Sequence, residues 1–158
     1  MRPGREIDAR IAKEVFGFKV WPQGKILFEN APLGDRPLRK YSKEMEWAME
    51  VAKHMHVALL PIAGGEWFAF VGPVDKPGWE SPTAMLEFLG TGQFNDCGAS
   101  VNAEPAVAIC EAALKAAEKR KQAAEQPAAQ VTDENLEEPT QQPPTLSVVD
   151  KSTTDSVH

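Results

Sequence analysis

The composition of the chain changes abruptly near Gln126, and this change limits where a folded core can form. From Pro127 to His158 there is no aromatic residue, four residues are proline, and six acidic residues oppose one lysine. So little apolar surface cannot offset the entropy lost when a segment of this length becomes ordered. We therefore expect a single globular domain over residues 1–126, followed by a disordered acidic tail over residues 127–158.

The charge of the chain restricts its partners. The formal net charge is −6, of which the tail contributes −5, so residues 1–126 are left with about −1. Nucleic-acid-binding domains neutralise phosphates with a basic surface, and this near-neutral domain does not have the charge that such a role requires.

The longest apolar run, Val57 to Ala63, is far shorter than the roughly 20 residues that cross a bilayer. No apolar leader opens the chain, and the two cysteines are too few for a disulfide framework. These features predict a protein of the cytoplasm without a membrane partner.

Apolar spacing predicts three helices, over residues 5–16, 42–55 and 106–125. The stripe expected to face inward on the second helix consists of Met45, Ala48, Met49, Ala52 and Met55. The third helix is rich in alanine, and small residues would let it lie close against a sheet. Its Cys110 lies on the apolar side, so we expect this thiol to be buried and inert.

A Gly64-Gly65 pair between two apolar runs predicts a β-hairpin with strands over residues 57–63 and 66–72. Residues 18–39, rich in glycine and proline, are predicted to be mostly loop, with a short strand possible over 25–29. Residues 73–83 are a second predicted loop, followed by a short element near 85–89 and a strand within 94–101. The predicted fold class is α+β, with a small antiparallel sheet packed with about three helices. Apolar residues on both faces of the second hairpin strand also make a homodimer possible.

Three segments stand out together: GREID at residues 4–8, the helix that follows Tyr41-Ser42, and AEPAVAICEAALKA at residues 103–116. In their order and spacing, which span about residues 4–117, they resemble the phage ABA sandwich domain family. The resemblance implies a small bacteriophage or prophage protein with an antiparallel sheet packed against helices, and no settled activity, cofactor or catalytic residue. In one departure, Met49 stands where the second helix of the family often carries tryptophan, which puts any pocket built around that ring in doubt.

The sequence contains no strong motif for catalysis or metal binding. His54 and His56 could approach a metal together, but they are two positions apart and have no evident third ligand. Their spacing at a helix end rather indicates cations that face the terminal carbonyls. Cys97 lies in a turn-like segment and is expected to be freer to react than Cys110, although Asp96 would disfavour its thiolate. We therefore expect a non-enzymatic protein without a catalytic residue, a resident metal or a cofactor.

Candidate binding residues are cationic or aromatic, and the aromatic ones lie in or beside the two predicted loops. They are Arg5, Trp21, Arg36, Arg39, Lys40, Tyr41 and Trp79. The cations could contact phosphate, and Trp21 or Trp79 could stack on a base or on a partner. The alternative is that the rings cover the edges of the core.

The leading functional prediction is a bacteriophage or prophage accessory protein acting in the host cytoplasm, which binds a host or phage protein through the loop aromatics or the tail. An apolar segment in the tail, Leu146 to Val149, is a candidate motif; the alternative is that the tail only aids solubility. The second prediction is a small-ligand binder that sequesters a nucleotide used in host defence signalling. The two differ in whether a nucleotide or a protein is captured.

Overall fold

The computed structural model describes residues 2–126, so the expected disordered tail and its apolar segment lie outside the described residues. The elements in chain order are α1 (Arg5–Arg10), which continues as a π-helical turn (Ile11–Val15), β1 (Val20–Gln23), β2 (Ile26–Ala31), β3 (Gly34–Pro37), α2 (Met45–Met55), β4 (Val57–Ile62), β5 (Glu66–Val71), α3 (Pro82–Thr91), β6 (Gly98–Asn102) and α4 (Pro105–Glu125). Within this described part, no helix has the length and apolarity needed to cross a membrane.

The six strands form two antiparallel sheets of three strands each, with orders β1-β2-β3 (sheet 1) and β4-β5-β6 (sheet 2). The α+β class is confirmed, but the expected single sheet and three helices become two sheets and four helices over residues 2–126. The prediction that residues 18–39 are mostly loop is wrong. Pro22 and Pro37 lie in β1 and β3, the two edge strands of sheet 1, where a missing N–H is tolerated. Gly24 and Gly34, both at positive φ, lie at the turns between the strands.

Helix α4 forms the centre of the domain. Its alanine face packs against the inner side of sheet 2, where Ala108, Ala112 and Ala116 cluster with Ala69 and Val71. The adjoining side of α4 joins a second cluster with α1 and α2, whose members include Ile7, Ile11, Val51, Ile109 and Cys110. The sequence-based expectation that small residues bring this helix close to a sheet is confirmed.

The inward face of α2 differs from the predicted stripe. Met45 and Met49 are exposed, whereas Ala48, Val51 and Ala52 are buried. Shorter side chains allow α2 and α4 to approach closely, and this favours the alanine and valine side of the helix over the methionine side. The packing surface is therefore rotated away from the methionines.

The predicted β4–β5 hairpin is confirmed, with Gly64 and Gly65 both at positive φ in the turn. Trp67, Ala69 and Val71 face α4, as expected from strand alternation.

The short element expected near 85–89 is the ten-residue helix α3, which begins after Ser81; the Ser81 side chain accepts a hydrogen bond from the amide of Ala84. Strand β6 begins four residues later than the predicted segment.

Candidate functional site

A cleft of about 400 Å³ lies between the start of α1, sheet 1 and the turn that precedes α2. Three cationic residues line it: Arg5, Lys40 and Lys43. Its apolar lining consists of Ile26, Leu27, Pro37 and Leu38. The cleft therefore combines positive charge with apolar walls, an arrangement that suits an anion carrying an apolar group.

Asp8 also lines this cleft and is buried. Its Oδ1 accepts hydrogen bonds from the backbone amide of Ser42 (2.7 Å) and from the Ser42 hydroxyl (2.8 Å). Burial raises the pKa of the Asp8 carboxyl above its ordinary value, and the bonds from Ser42 only partly oppose this shift. Asp8 thus joins α1 to the turn that carries Lys40 and Lys43, so the cleft is held by a buried polar contact.

Two of the predicted binding residues belong instead to a buried network. The Arg36 Nε lies 2.6 Å from Oε1 of Glu29, whose side chain is fully buried. Tyr41 is 1% exposed and donates its hydroxyl to the same carboxylate. The Arg36 guanidinium and the Tyr41 hydroxyl therefore both bind Glu29. The centroid of the Tyr41 ring lies 5.5 Å from that of Phe16.

Arg39 and Trp21 lie on two other surfaces. The Arg39 guanidinium carbon is 3.6 Å from the ring centroid of Trp47 on α2, a close cation–π contact. Trp21 stacks on Phe28, its cross-strand partner in sheet 1, with ring centroids 6.2 Å apart. Phe28 alternates with the buried Glu29, so the Trp21–Phe28 pair lies on the outer face of sheet 1. Both rings are half-buried.

Trp79 holds the loop between β5 and α3 against sheet 2. Its ring lies 5.3 Å from that of Phe88 and 6.2 Å from that of Phe70. It also covers Gly72 so closely that a Cβ there would lie 2.6 Å from the indole. Trp79 lines a second cleft of about 690 Å³, whose charged residues are Asp75, Lys76, Glu80 and Glu87. This excess of carboxylates disfavours a phosphate beside the indole.

Of the seven predicted binding residues, Arg5 and Lys40 line the first cleft, whereas Arg36 and Tyr41 meet at the buried Glu29. That cleft and the Trp79 cleft share no lining residue. A binding role for the seven remains a prediction. Sequence reasoning missed Lys43, although its position three residues after Lys40, just before a helix, was a usable signal.

A further surface, the outer face of sheet 2, contains the second apolar face that the sequence indicates for β5. Leu60, Phe68 and Val101 lie side by side across the three strands in the observed register. Leu60 is 40% exposed and Val101 47%, and Ile62 next to them on β4 is 42% exposed. Phe88 and Phe94 pack on Phe70 at one end and leave this row uncovered. In β5, Trp67, Ala69 and Val71 point to one side and Phe68 and Phe70 to the other. This alternation indicates from the sequence that both faces of the sheet are apolar.

The two histidines are exposed and line one small cleft together, whereas the two cysteines are buried. The His54 ring lies 4.8 Å from that of Phe16, and His56 ends α2 in the left-handed conformation. Residues 2–126 contain no group of three or more His, Cys, Asp or Glu placed to hold a metal. Cys97 is 2% exposed, and burial, followed by the nearby Asp96, raises the pKa of its thiol. It also lines a small open recess with Phe68 and Phe94, so the expectation that it is freer to react than Cys110 stays a prediction. Cys110 is buried as expected, with its pKa raised in the same direction by burial.

Comparisons with known proteins give one structural likeness. No protein-family model matches the sequence, and no curated protein matches it. The fold is similar to that of a phage protein from Bacillus cereus ATCC 14579, whose crystal structure was determined at 2.0 Å. The two chains are 17% identical over 75% of this chain and 89% of that chain, with a TM-score of 0.49. A likeness this low carries no argument about function, so membership of the phage ABA sandwich family remains a prediction.

Proposed function

We propose that the chain is a non-enzymatic accessory protein of a bacteriophage or prophage, which acts in the host cytoplasm by binding another protein. The observation that carries the binding role is the uncovered row of Leu60, Phe68 and Val101 on sheet 2. Water contact with a continuous apolar row is unfavourable, and such patches commonly mark protein interfaces. The phage origin rests on the resemblance of residues 4–117 to the phage family.

A non-enzymatic role is supported by how the reactive groups are used. The carboxyl of Asp8 accepts two hydrogen bonds from Ser42, and that of Glu29 binds Arg36 and Tyr41. The two thiols are buried, and their raised pKa values keep them protonated. These groups are held by contacts within the fold, although Asp8 and Cys97 also line clefts.

The test is affinity capture from host and phage-infected lysates with three forms of the full chain: the wild type, Val101→Asp and Leu33→Asp. Val101→Asp places a charge in the apolar row, and Leu33→Asp places the same charge on a 99% exposed residue of the β2–β3 turn. We expect a protein captured by the wild type and by Leu33→Asp to be lost with Val101→Asp. Capture of the same proteins by all three forms would contradict the proposal, provided circular dichroism shows that each is folded.

A second copy of the chain is one form that the bound protein could take. Light scattering at several concentrations would then show a dimer that Val101→Asp dissociates and Leu33→Asp preserves. A monomer at all concentrations would exclude the homodimer and leave a different protein as the partner.

The second candidate function is the binding of a nucleotide used in host defence signalling, and the observation that favours it is the cleft of Arg5, Lys40 and Lys43. A thermal-shift screen with nucleotides and cyclic dinucleotides tests this function. A ligand at 100 times its Kd stabilises the fold by about 2.7 kcal/mol, and the shift should vanish in the double variant Lys40→Ala/Lys43→Ala. Lys121→Ala, on another part of the surface, should retain it. The absence of any shift with the wild type would exclude nucleotides of the tested set.

A further inference from the structure

The apolar row on sheet 2 leads into a slot between α3 and β6. The slot has a volume of about 270 Å³, and its walls are formed by Phe68, Phe70, Leu89, Phe94, Cys97 and Ala99. The Phe94 ring stands nearly perpendicular to those of Phe70 and Phe88 and is itself 41% exposed. The slot is thus an open recess at the end of an exposed apolar surface.

Two lysines of α4 lie beside the slot. Lys119 lines it directly, and Lys115, one turn earlier, donates from Nζ to the carbonyl of Ala99, 3.0 Å away. The carboxylate of Asp96 accepts a hydrogen bond from the amide of Val74, while Glu118 lines a separate cleft with Arg10. Among the residues that line the slot, Lys119 is the one that carries a charge, so a positive charge lies directly at the slot, with the carboxylate of Asp96 further along the same loop.

The size and the surroundings of the slot define its ligand. A cavity of 150 Å³ lined by apolar side chains can hold benzene, so 270 Å³ is sufficient for a phenylalanine, leucine or tryptophan side chain. Phe68 belongs both to the slot and to the row with Leu60 and Val101. An occupant that covers the row as well as the slot must be larger than a single small molecule, which favours a polypeptide.

From these contacts we propose that the slot receives a large apolar side chain of a partner polypeptide, and that acidic residues beside that side chain pair with Lys115 and Lys119. The proposal rests on the proposed protein-binding function and specifies the chemistry of the partner. Burial of the apolar side chain provides affinity, and complementary charge selects an acidic sequence over a basic one.

The experiment is selection of a displayed random-peptide library on the full chain, followed by binding measurements with the enriched peptides made synthetically. We expect enriched peptides to combine Phe, Leu or Trp with neighbouring Asp or Glu. Fluorescence anisotropy should show about tenfold weaker binding to Lys119→Glu and to Lys115→Glu/Lys119→Glu. Lys121→Glu makes the same charge change on the same helix beside a different cleft, and it should leave binding unchanged.

A charge exchange completes the test. Peptides whose acids are replaced by lysine should lose binding to the wild type and regain it with Lys115→Glu/Lys119→Glu. A different result would overturn this inference: enriched peptides that contain no acidic residues, lose binding with Val101→Asp and bind Lys119→Glu as well as the wild type. Such peptides would still support the protein-binding function, because they bind the apolar row. If the captured lysate protein and every enriched peptide are unaffected by Val101→Asp, both proposals fail.

Discussion

The hydroxyl of Tyr41 lies 2.9 Å from Oε2 and 3.1 Å from Oε1 of Glu29, inside the core rather than at its surface. The contact ties the segment before α2 to the middle strand of sheet 1. Arg36, the cross-strand partner of Glu29, binds the same carboxylate from the edge strand β3. The segment before α2 and the strands β2 and β3 are therefore joined through the buried carboxylate of Glu29.

This contact predicts the alkaline behaviour of the protein. Burial, and then the charge of Glu29, raise the pKa of Tyr41 far above its ordinary value of 10.0. Above pH 10.0 the folded state therefore keeps a proton that the unfolded state loses, so the free energy of unfolding falls as the pH rises. Tyr41 is the single tyrosine of the chain, so its phenolate absorbance is unambiguous. We expect this absorbance to appear together with the loss of circular dichroism, and ionisation near pH 10.0 in the folded protein would contradict the prediction.

Replacement of Arg36 by alanine should destabilise the fold strongly. The variant leaves the Glu29 carboxylate buried without its cation, which costs about 3 kcal/mol of unfolding free energy. Arg10→Ala is the matched control, because Arg10 pairs with Glu14 at the surface, where such a pair contributes about 0.5 kcal/mol or less. Urea unfolding of both variants measures the difference. Equal losses would show that the buried pair does not stabilise the fold.

The parts of the fold that the sequence predicts well have strong local signals. The Gly64-Gly65 turn defines the β4–β5 hairpin, and the alanine-rich segment after Pro105 defines α4. Sheet 1 has weak local signals, since β1 and β3 are four residues long and each contains a proline. Its existence depends on pairing with β2, a contact between segments that no short pattern reports.

The candidate site is harder to predict because its members are distant in sequence. Arg5 and Lys40 share a cleft where Asp8 and Ser42, 34 positions apart, are joined by hydrogen bonds. Arg36, which resembles a ligand contact in the sequence, lies directly opposite Glu29 once the β2–β3 register is known. The sequence indicates which residues could bind an anion, but tertiary contacts decide which of them are available.

The two thiols should be protected in the native protein. Cys97 and Cys110 are both buried, and burial raises the pKa of each. Because the thiolate is the reactive species, we expect an aromatic disulfide reagent to react slowly at neutral pH and to modify both cysteines once urea unfolds the chain. Cys110→Ala isolates the signal of Cys97. Rapid modification of that variant under native conditions would contradict the prediction and would show that the reagent reaches Cys97, which lines the slot.

Gly98 at the start of β6 should be the position where a methyl group is least tolerated. A Cβ there would overlap the carbonyl oxygen of Ala112 and would lie 2.6 Å from the amide nitrogen of Ala116, and these backbone atoms of α4 cannot move as a flexible side chain could. Gly98→Ala should therefore push α4 away from sheet 2, at a cost of about 3 kcal/mol in unfolding free energy.

Gly90 in α3 is the matched control, because nothing lies within 4 Å of the position that an added methyl group would take and its φ is not positive. Gly90→Ala should stabilise the protein by about 0.5 kcal/mol, since alanine loses less backbone entropy in a helix. Urea unfolding of the two alanine variants should then move the transition midpoint in opposite directions. A Gly98→Ala variant as stable as the wild type would mean that α4 does not pack on β6 this closely, and the slot beside Lys115 and Lys119 would then need a different geometry.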